Sequence, residues 1–186
     1  GICVAYFGDG AANQGQVYEA FNMAALWKLP IIFVVENNRY AMGTAVTRSS
    51  AETHFWRRGE AFRIPGMVCN GMDVLEVRGT AEAAIDFARA GHGPVILEAQ
   101  TYRYRGHSMS DPAKYRSREE VQQVREKSDP IEGLKDDLDA AGIHEDELKA
   151  IDKEIRAIVN EAADFAETSP ESDAAELYTD VLVGNY

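Results

Sequence analysis

Three short apolar runs limit what this chain can fold into more than any other feature. Residues 2–7, 31–35 and 94–99 are continuously apolar or nearly so, and each is bounded by Gly, Pro or Asn. Runs of that length and continuity are the signal of buried strands, and burial on both faces belongs to parallel sheets. Helical spacing separates them. In residues 14–28, Val17, Phe21, Ala24 and Ala25 fall on one face, and Pro30 stands beyond the end. Residues 80–90 form a second helix, with Thr80 as the expected N-cap and Gly91 just past the end. A short helix is expected near residues 51–60, and residues 67–77 form a further strand region interrupted by Asn70-Gly71. Strand and helix in alternation give an α/β fold, a parallel sheet with helices on both faces.

The rest of the chain is helical. Ser117-Arg118-Glu119-Glu120 reads as a capping box that opens a helix. Residues 129–141 form the next helix, stopped at Gly142, and the third is the clearest. Leu148, Ile151, Ile155, Ile158, Ala162 and Phe165 recur at alternating steps of three and four, one apolar stripe on a long helix. The expected division is an α/β domain over 1–118, lacking an N-terminal part, and a C-terminal helical region over 119–186 that packs on it. Charge follows the same division: residues 1–118 carry a net +2 and residues 119–186 a net −14. The acidic half reads as solvated helix faces. The overall −12 lacks the basic footprint of a nucleic-acid binder. No apolar run approaches the length of a membrane span, and nothing resembles a signal peptide. Cys3 and Cys69 lie in apolar stretches and are expected as buried thiols in a reducing compartment. The chain opens directly on a strand without an initiator Met, as a piece of a longer protein would.

Residues 101–117, TYRYRGHSMSDPAKYRS, break the alternation. A long polar, aromatic and basic loop inside a compact domain is usually functional. His107 is its one histidine; His54, His92 and His144 have no partner pattern and are expected at the surface. Arg103 and Arg105 fit solvent and phosphate equally well. Trp27 and Trp56 are expected in packing.

Gly8-Asp9-Gly10 follows the first strand and precedes the first helix. Such a turn invites a dinucleotide, with Glu36 as the ribose-binding acid, and a nicotinamide-dependent oxidoreductase stands as one alternative. The fingerprint fails at its third glycine, where Asn13 stands. The carboxylate of Asp9 would also repel a pyrophosphate unless a cation lay between them. Mg²⁺ resolves this, because it combines few protein oxygens with phosphate oxygens and water. Asp9 offers one oxygen at a strand's carboxyl end. The next strand ends in Glu36-Asn37-Asn38-Arg39-Tyr40, where an amide oxygen and a backbone carbonyl complete the protein side. Asn37 reads as a structural turn residue. The free amides of Gly10 and Ala11 can donate to phosphate. A non-catalytic interaction fragment is the other alternative.

GDG followed by 26 residues and then NN resembles the thiamine-diphosphate motif. The longer strings GDGAANQGQVYEAFNMAALWKLPIIFVVENNRYAMGT and TYRYRGHSMSDPAKYRSREE resemble the α subunits of E1 components in the thiamine-diphosphate-dependent 2-oxoacid dehydrogenase family. The likeness is strong through about Glu126 and looser to ELYTDV near the end. GHSMSDP points to the pyruvate dehydrogenase branch; branched-chain 2-oxoacid and acetoin dehydrogenases share the first motif. The resemblance implies a thiamine-diphosphate-binding sheet and Mg²⁺ held by Asp9, the Asn38 side chain and the Tyr40 carbonyl. It further implies a diphosphate lined by Gly8, Gly10 and Ala11, and a catalytic His107 on a mobile loop over the cofactor. It implies an E1 β subunit in an α2β2 heterotetramer, oxidative decarboxylation of pyruvate, and acetyl transfer to the lipoyl group of E2. The location implied is the bacterial cytoplasm, or the mitochondrial matrix for a eukaryotic chain. Eukaryotic relatives are phosphorylated at the serine matching Ser108. Their second loop site has no match here, where Ala113-Lys114 stands, which favours a bacterial enzyme without that control.

Overall fold

The computed structural model describes residues 1–179, so Asp180 and Val181 at the end of ELYTDV lie outside the described residues. The chain divides into two compact units, Gly1–Asp136 and Asp137–Tyr186.

In the first unit, strand β1 (Cys3–Gly8), helix α1 (Gly15–Leu26) and strand β2 (Ile31–Asn37) follow in order. A small antiparallel pair, β3 (Tyr40–Ala41) and β4 (Thr44–Ala45), leads into the one-turn helix α2 (Val46–Ser49). Then come β5 (Gly66–Asn70), α3 (Val74–Arg89), β6 (Val95–Gln100) and, after the long loop, α4 (Arg118–Ser128). The four long strands form one sheet in the order β1-β2-β6-β5, every neighbour parallel. All four carboxyl ends therefore lie along one edge, where open α/β sheets bind ligands.

The alternation of side chains across the sheet builds two cores. Phe33, Val35 and Ile96 face Phe21 and Ala24 of α1, together with Phe55 and Ile64. Ile32, Val34, Val95, Leu97 and Ala99 face Ala84 of α3 and Cys69 of β5. Each fully buried Ile, Leu, Val or Phe contributes about 1.5–3 kcal/mol relative to exposure. The doubly covered parallel sheet expected from the apolar runs is thus the observed fold.

Several local expectations are corrected. β1 is an edge strand: Ala5 and Phe7 pack under α1, but Val4 and Tyr6 are exposed on the opposite face. Cys3, at the start of the strand, is exposed as well. Only Cys69 is a buried thiol. Residues 67–77 are not one interrupted strand. Asp73 accepts from the amides of Leu75 and Glu76, caps α3, and turns the chain into helix seven residues before Thr80. Thr80 is interior to α3, and its hydroxyl donates to the Glu76 carbonyl. Gly91 does follow the helix, at φ +78. The short helix expected near residues 51–60 is a 3-10 segment, Phe55–Phe62, with α2 before it. Trp27 is exposed where packing was expected.

α4 begins as its capping box requires, with the Ser117 hydroxyl accepting from the Glu120 amide at 3.0 Å. The next helix, α5 (Pro130–Ala140), ends before Gly142, whose φ is +87. In the second unit α6 (Glu145–Thr168) carries the periodic stripe, and Ile151, Ile155, Ile158 and Phe165 on it are exposed. A 3-10 turn, Ala174–Tyr178, follows.

Candidate functional site

Asp9 stands one residue beyond β1, and Asn38 one residue beyond β2, so the parallel pairing of Gly8 with Glu36 places them side by side. Asp9 is 2% exposed, and its Oδ2 has no hydrogen-bond partner among the described residues. Burial raises the Asp9 carboxyl above its usual 3.8. Its own amide, the Asn38 amide and the charges of Arg103 and Arg116 oppose that rise. A buried carboxylate oxygen without a donor is costly, and such oxygens are ordinarily paired or bound to a cation. Among the described residues no three His, Cys, Asp or Glu converge as a metal cage. A cation here would draw on one carboxylate plus amide, backbone and ligand oxygens, which is how Mg²⁺ is held beside phosphates. The residues present fit that group.

Gly10 is packed so closely that a Cβ there would lie 2.6 Å from the Ala41 Cβ. The turn after β1 and the β3–β4 hairpin therefore form one close-walled cradle. Ala11 does not open α1 directly. A 3-10 turn, Ala11–Asn13, and Gln14 stand between them, so phosphate would meet local amides and not the end of the long helix. Asn13, at the failed third glycine position, is tied to Ser50 and Arg58.

The Asn-Asn turn is braced from beneath and from the long loop. Asn37 Nδ2 donates to Glu98 Oε1 at 2.7 Å, and Asn37 Oδ1 accepts from the Arg39 amide at 3.0 Å. Among the described residues Asn38 Oδ1 is held only by the Tyr40 amide, at 3.4 Å. The Asn38 carbonyl accepts from Arg116 Nη2 at 2.8 Å. Arg116 Nη1 donates to the Arg103 carbonyl. The Arg116 guanidinium lies between the rings of Tyr40 and Tyr102, 4.6 and 4.4 Å from their centroids. Each such contact is worth about 0.5–2 kcal/mol.

Arg103, left open between solvent and phosphate by the sequence, serves the backbone. Its Nη1 donates to the Tyr40 carbonyl at 3.3 Å, and its Nη2 to the Met42 carbonyl and the Tyr115 hydroxyl, both at 2.8 Å. Arg105 instead faces a basic cavity with Lys114, Arg116 and Arg118. The loop is ordered by Asp111. Its carboxyl accepts from the amides of His107 at 2.7 Å and Ala113 at 2.9 Å, and from the Tyr115 hydroxyl at 2.8 Å. His107 itself is exposed, and its ring has no hydrogen-bond partner among the described residues. Tyr102 donates to Glu120; burial, then that carboxylate, push its phenol up to about 12.

The structure thus joins Asp9, Gly10, Asn38 and Tyr40 in one cradle, and the loop of His107 is fastened to it through Tyr115 and Arg103. Sequence reasoning missed Glu98, Arg103 and Arg116 as its supports. His54 and His144 are exposed on the surface beside Glu52 and Asp139, and His92 is exposed against Phe87, as expected.

Residues 1–175 match the family described as dehydrogenase E1 component. The chain is 63% identical over 186 residues to the pyruvate dehydrogenase E1 component subunit alpha of Zymomonas mobilis, covering all of this chain and 52% of that one. It is 63% identical over 183 residues to the same subunit of Rhizobium meliloti, 98% of this chain and 53% of that one. It is 53% identical over 178 residues to the human somatic mitochondrial form, 95% of this chain and 45% of that one. The chain spans about half the length of the curated relatives it matches.

Proposed function

The chain belongs to the dehydrogenase E1 component family, and from that premise we propose that it is the cofactor-anchoring part of a pyruvate dehydrogenase E1 α subunit. In this reading Asp9, Asn38 Oδ1 and the Tyr40 carbonyl hold Mg²⁺, and Gly8, Gly10 and Ala11 line the diphosphate of thiamine diphosphate. The observation that carries it is the Asp9 Oδ2, buried and unpartnered at the carboxyl edge of a parallel sheet beside the Asn38 turn. The Tyr40 carbonyl already accepts from Arg103. A carbonyl has a second lone pair, so it can serve the metal without losing that brace.

When bound, thiamine diphosphate supplies the thiazolium chemistry by which a 2-oxoacid loses its carboxyl group. This chain's residues do the positioning. Asp9 neutralises part of the cation's charge. The cradle walls would hold the diphosphate, and His107, carried on its loop, would serve the reacting end. The likeness to pyruvate dehydrogenase E1 α subunits supports pyruvate over branched-chain 2-oxoacids and acetoin. An E1 β subunit in an α2β2 assembly completes the site, and the lipoyl group of E2 accepts the acetyl unit. The two bacterial relatives, at 63% identity against 53% for the human form, support a bacterial cytoplasmic enzyme. Among the described residues no helix is long and apolar enough to cross a membrane.

The test is acetyl transfer from pyruvate to a lipoyl domain by the full-length α subunit assembled with its β subunit. Pyruvate should be consumed in preference to branched-chain 2-oxoacids, and neither subunit alone should turn over. Preference for the branched-chain acids would overturn the pyruvate assignment. In the same assay His107→Ala should lower kcat by about a hundredfold, the scale of a proton-handling group. Its cofactor affinity should stay near that of the parent. Equal losses in both would make His107 an anchor and not a catalytic residue.

A further inference from the structure

Glu98 is 1% exposed in the middle of β6, and no Lys, Arg or His pairs with it among the described residues. A buried acid without a cation is an expensive choice at a strand position that an apolar side chain could fill. We propose that Glu98 is a positioning residue for the metal. It locks the amide of Asn37 in one orientation and thereby sets the turn that carries Asn38 and the Tyr40 carbonyl. The inference rests on the assignment of Asp9, Asn38 and Tyr40 as magnesium ligands.

Alternation places Glu98 on the same sheet face as Ile96, and Asn37 on the same face as Phe33 and Val35. The apolar core of that face therefore ends, at the ligand edge, in a polar pair. Both carboxylate oxygens are used. Oε1 accepts from Asn37 Nδ2 at 2.7 Å, and Oε2 from the backbone amide of Trp56 at 3.0 Å. Two N–H groups converge on one side chain, and only a carboxylate offers two acceptors and no donor. With its NH2 committed to Glu98, Asn37 must turn its Oδ1 to the Arg39 amide. That bond matters because Arg39 sits at φ +69, a left-handed conformation that is unfavourable for a residue with a side chain and must be held. Asn38, between Asn37 and Arg39, then presents its Oδ1 with one long bond among the described residues, from the Tyr40 amide. Asn37 is clamped so that Asn38 is free to ligate.

Gln in place of Glu98 keeps shape but converts one acceptor to a donor. With its oxygen on the Trp56 amide, its NH2 would oppose the Asn37 NH2. Asn37 would flip to offer Oδ1 and would drop the Arg39 amide. The test uses the full-length α subunit assembled with its β subunit. Mg²⁺ is titrated at fixed thiamine diphosphate, and amide exchange is measured in the metal-free protein. Glu98→Gln should raise the half-saturating Mg²⁺ by roughly tenfold or more, the usual effect of removing a group that orients a ligand. It should also speed exchange at the Arg39 amide. Asn37→Ser should shift the Mg²⁺ midpoint similarly, and the double variant no further, since both remove one contact. If Glu98→Gln does not fold, Asn37→Ser carries the test alone. An unshifted midpoint in the folded variants, or a double variant showing both shifts multiplied, overturns the role of Glu98. A parent protein whose cofactor binding needs no Mg²⁺ overturns the ligand assignment itself, and this inference with it.

Discussion

Asp111 ties together three points of the loop bearing His107. The amide of His107, then that of Ala113 and the Tyr115 hydroxyl, hold its carboxyl below its usual 3.8. A depressed carboxylate stabilises the folded loop fully above its ordinary value, and that contribution is lost as pH falls through the lowered one. Exchange at the His107 and Ala113 amides, corrected for intrinsic rate, should therefore stay flat from about pH 7 down to about pH 4.5 and accelerate below 3.8. Asp111→Asn should exchange fast throughout. Flat exchange in both proteins would show that the carboxylate does not order the loop. Such contacts were not legible in the sequence, because Asp111 reads as an ordinary turn acid before Pro112. Asp9 stood out in the sequence because a carboxylate between two glycines repels a phosphate unless a cation lies between them, and because the Asn37-Asn38 turn follows at the matching distance. Glu98 was not. It sits in a run read correctly as buried strand, and its partners Asn37 and Trp56 are 61 and 42 residues away. One signal was available: an acid inside an otherwise apolar run buried on both faces must find donors somewhere.

The elements that position the site are the turn after β1 and the β3–β4 hairpin, and their closest approach is Gly10 against Ala41. Gly10→Ala must push one of them aside, at about 1–3 kcal/mol for an overpacked contact. Chemical denaturation of the full-length protein should show that loss, and cofactor affinity should fall with it. Gly15→Ala is the control, because a Cβ there meets nothing within 4 Å; it should hold or raise stability. Equal behaviour of the two variants would mean that the cradle walls yield freely. Long apolar periodicity made β2, β6, α1 and α6 readable. The start of α3 was not: Asp73, and not Thr80, caps it, because its carboxyl captures two amides. The expected stripe of α6 is present, and Ile151, Ile155, Ile158 and Phe165 on it are exposed.

At the scale of the molecule, charge and coverage agree in what they leave to partners. The α/β part is nearly neutral and holds the candidate site, and the strongly acidic charge lies in residues 119–186. Val4 and Tyr6 leave one face of β1 open in a chain about half as long as its relatives. We expect the remainder of the full-length subunit to cover it. In the proposed function, Asp9 and the Asn38 turn bind thiamine diphosphate through Mg²⁺. Calorimetric titration of thiamine diphosphate into the full-length α subunit assembled with its β subunit, with and without Mg²⁺, tests this most directly in the parent, Asp9→Ala and Asn38→Ala. The parent should bind tightly only with Mg²⁺, and both variants should lose the Mg²⁺-dependent part. Unchanged Mg²⁺-dependent affinity in both folded variants would contradict it.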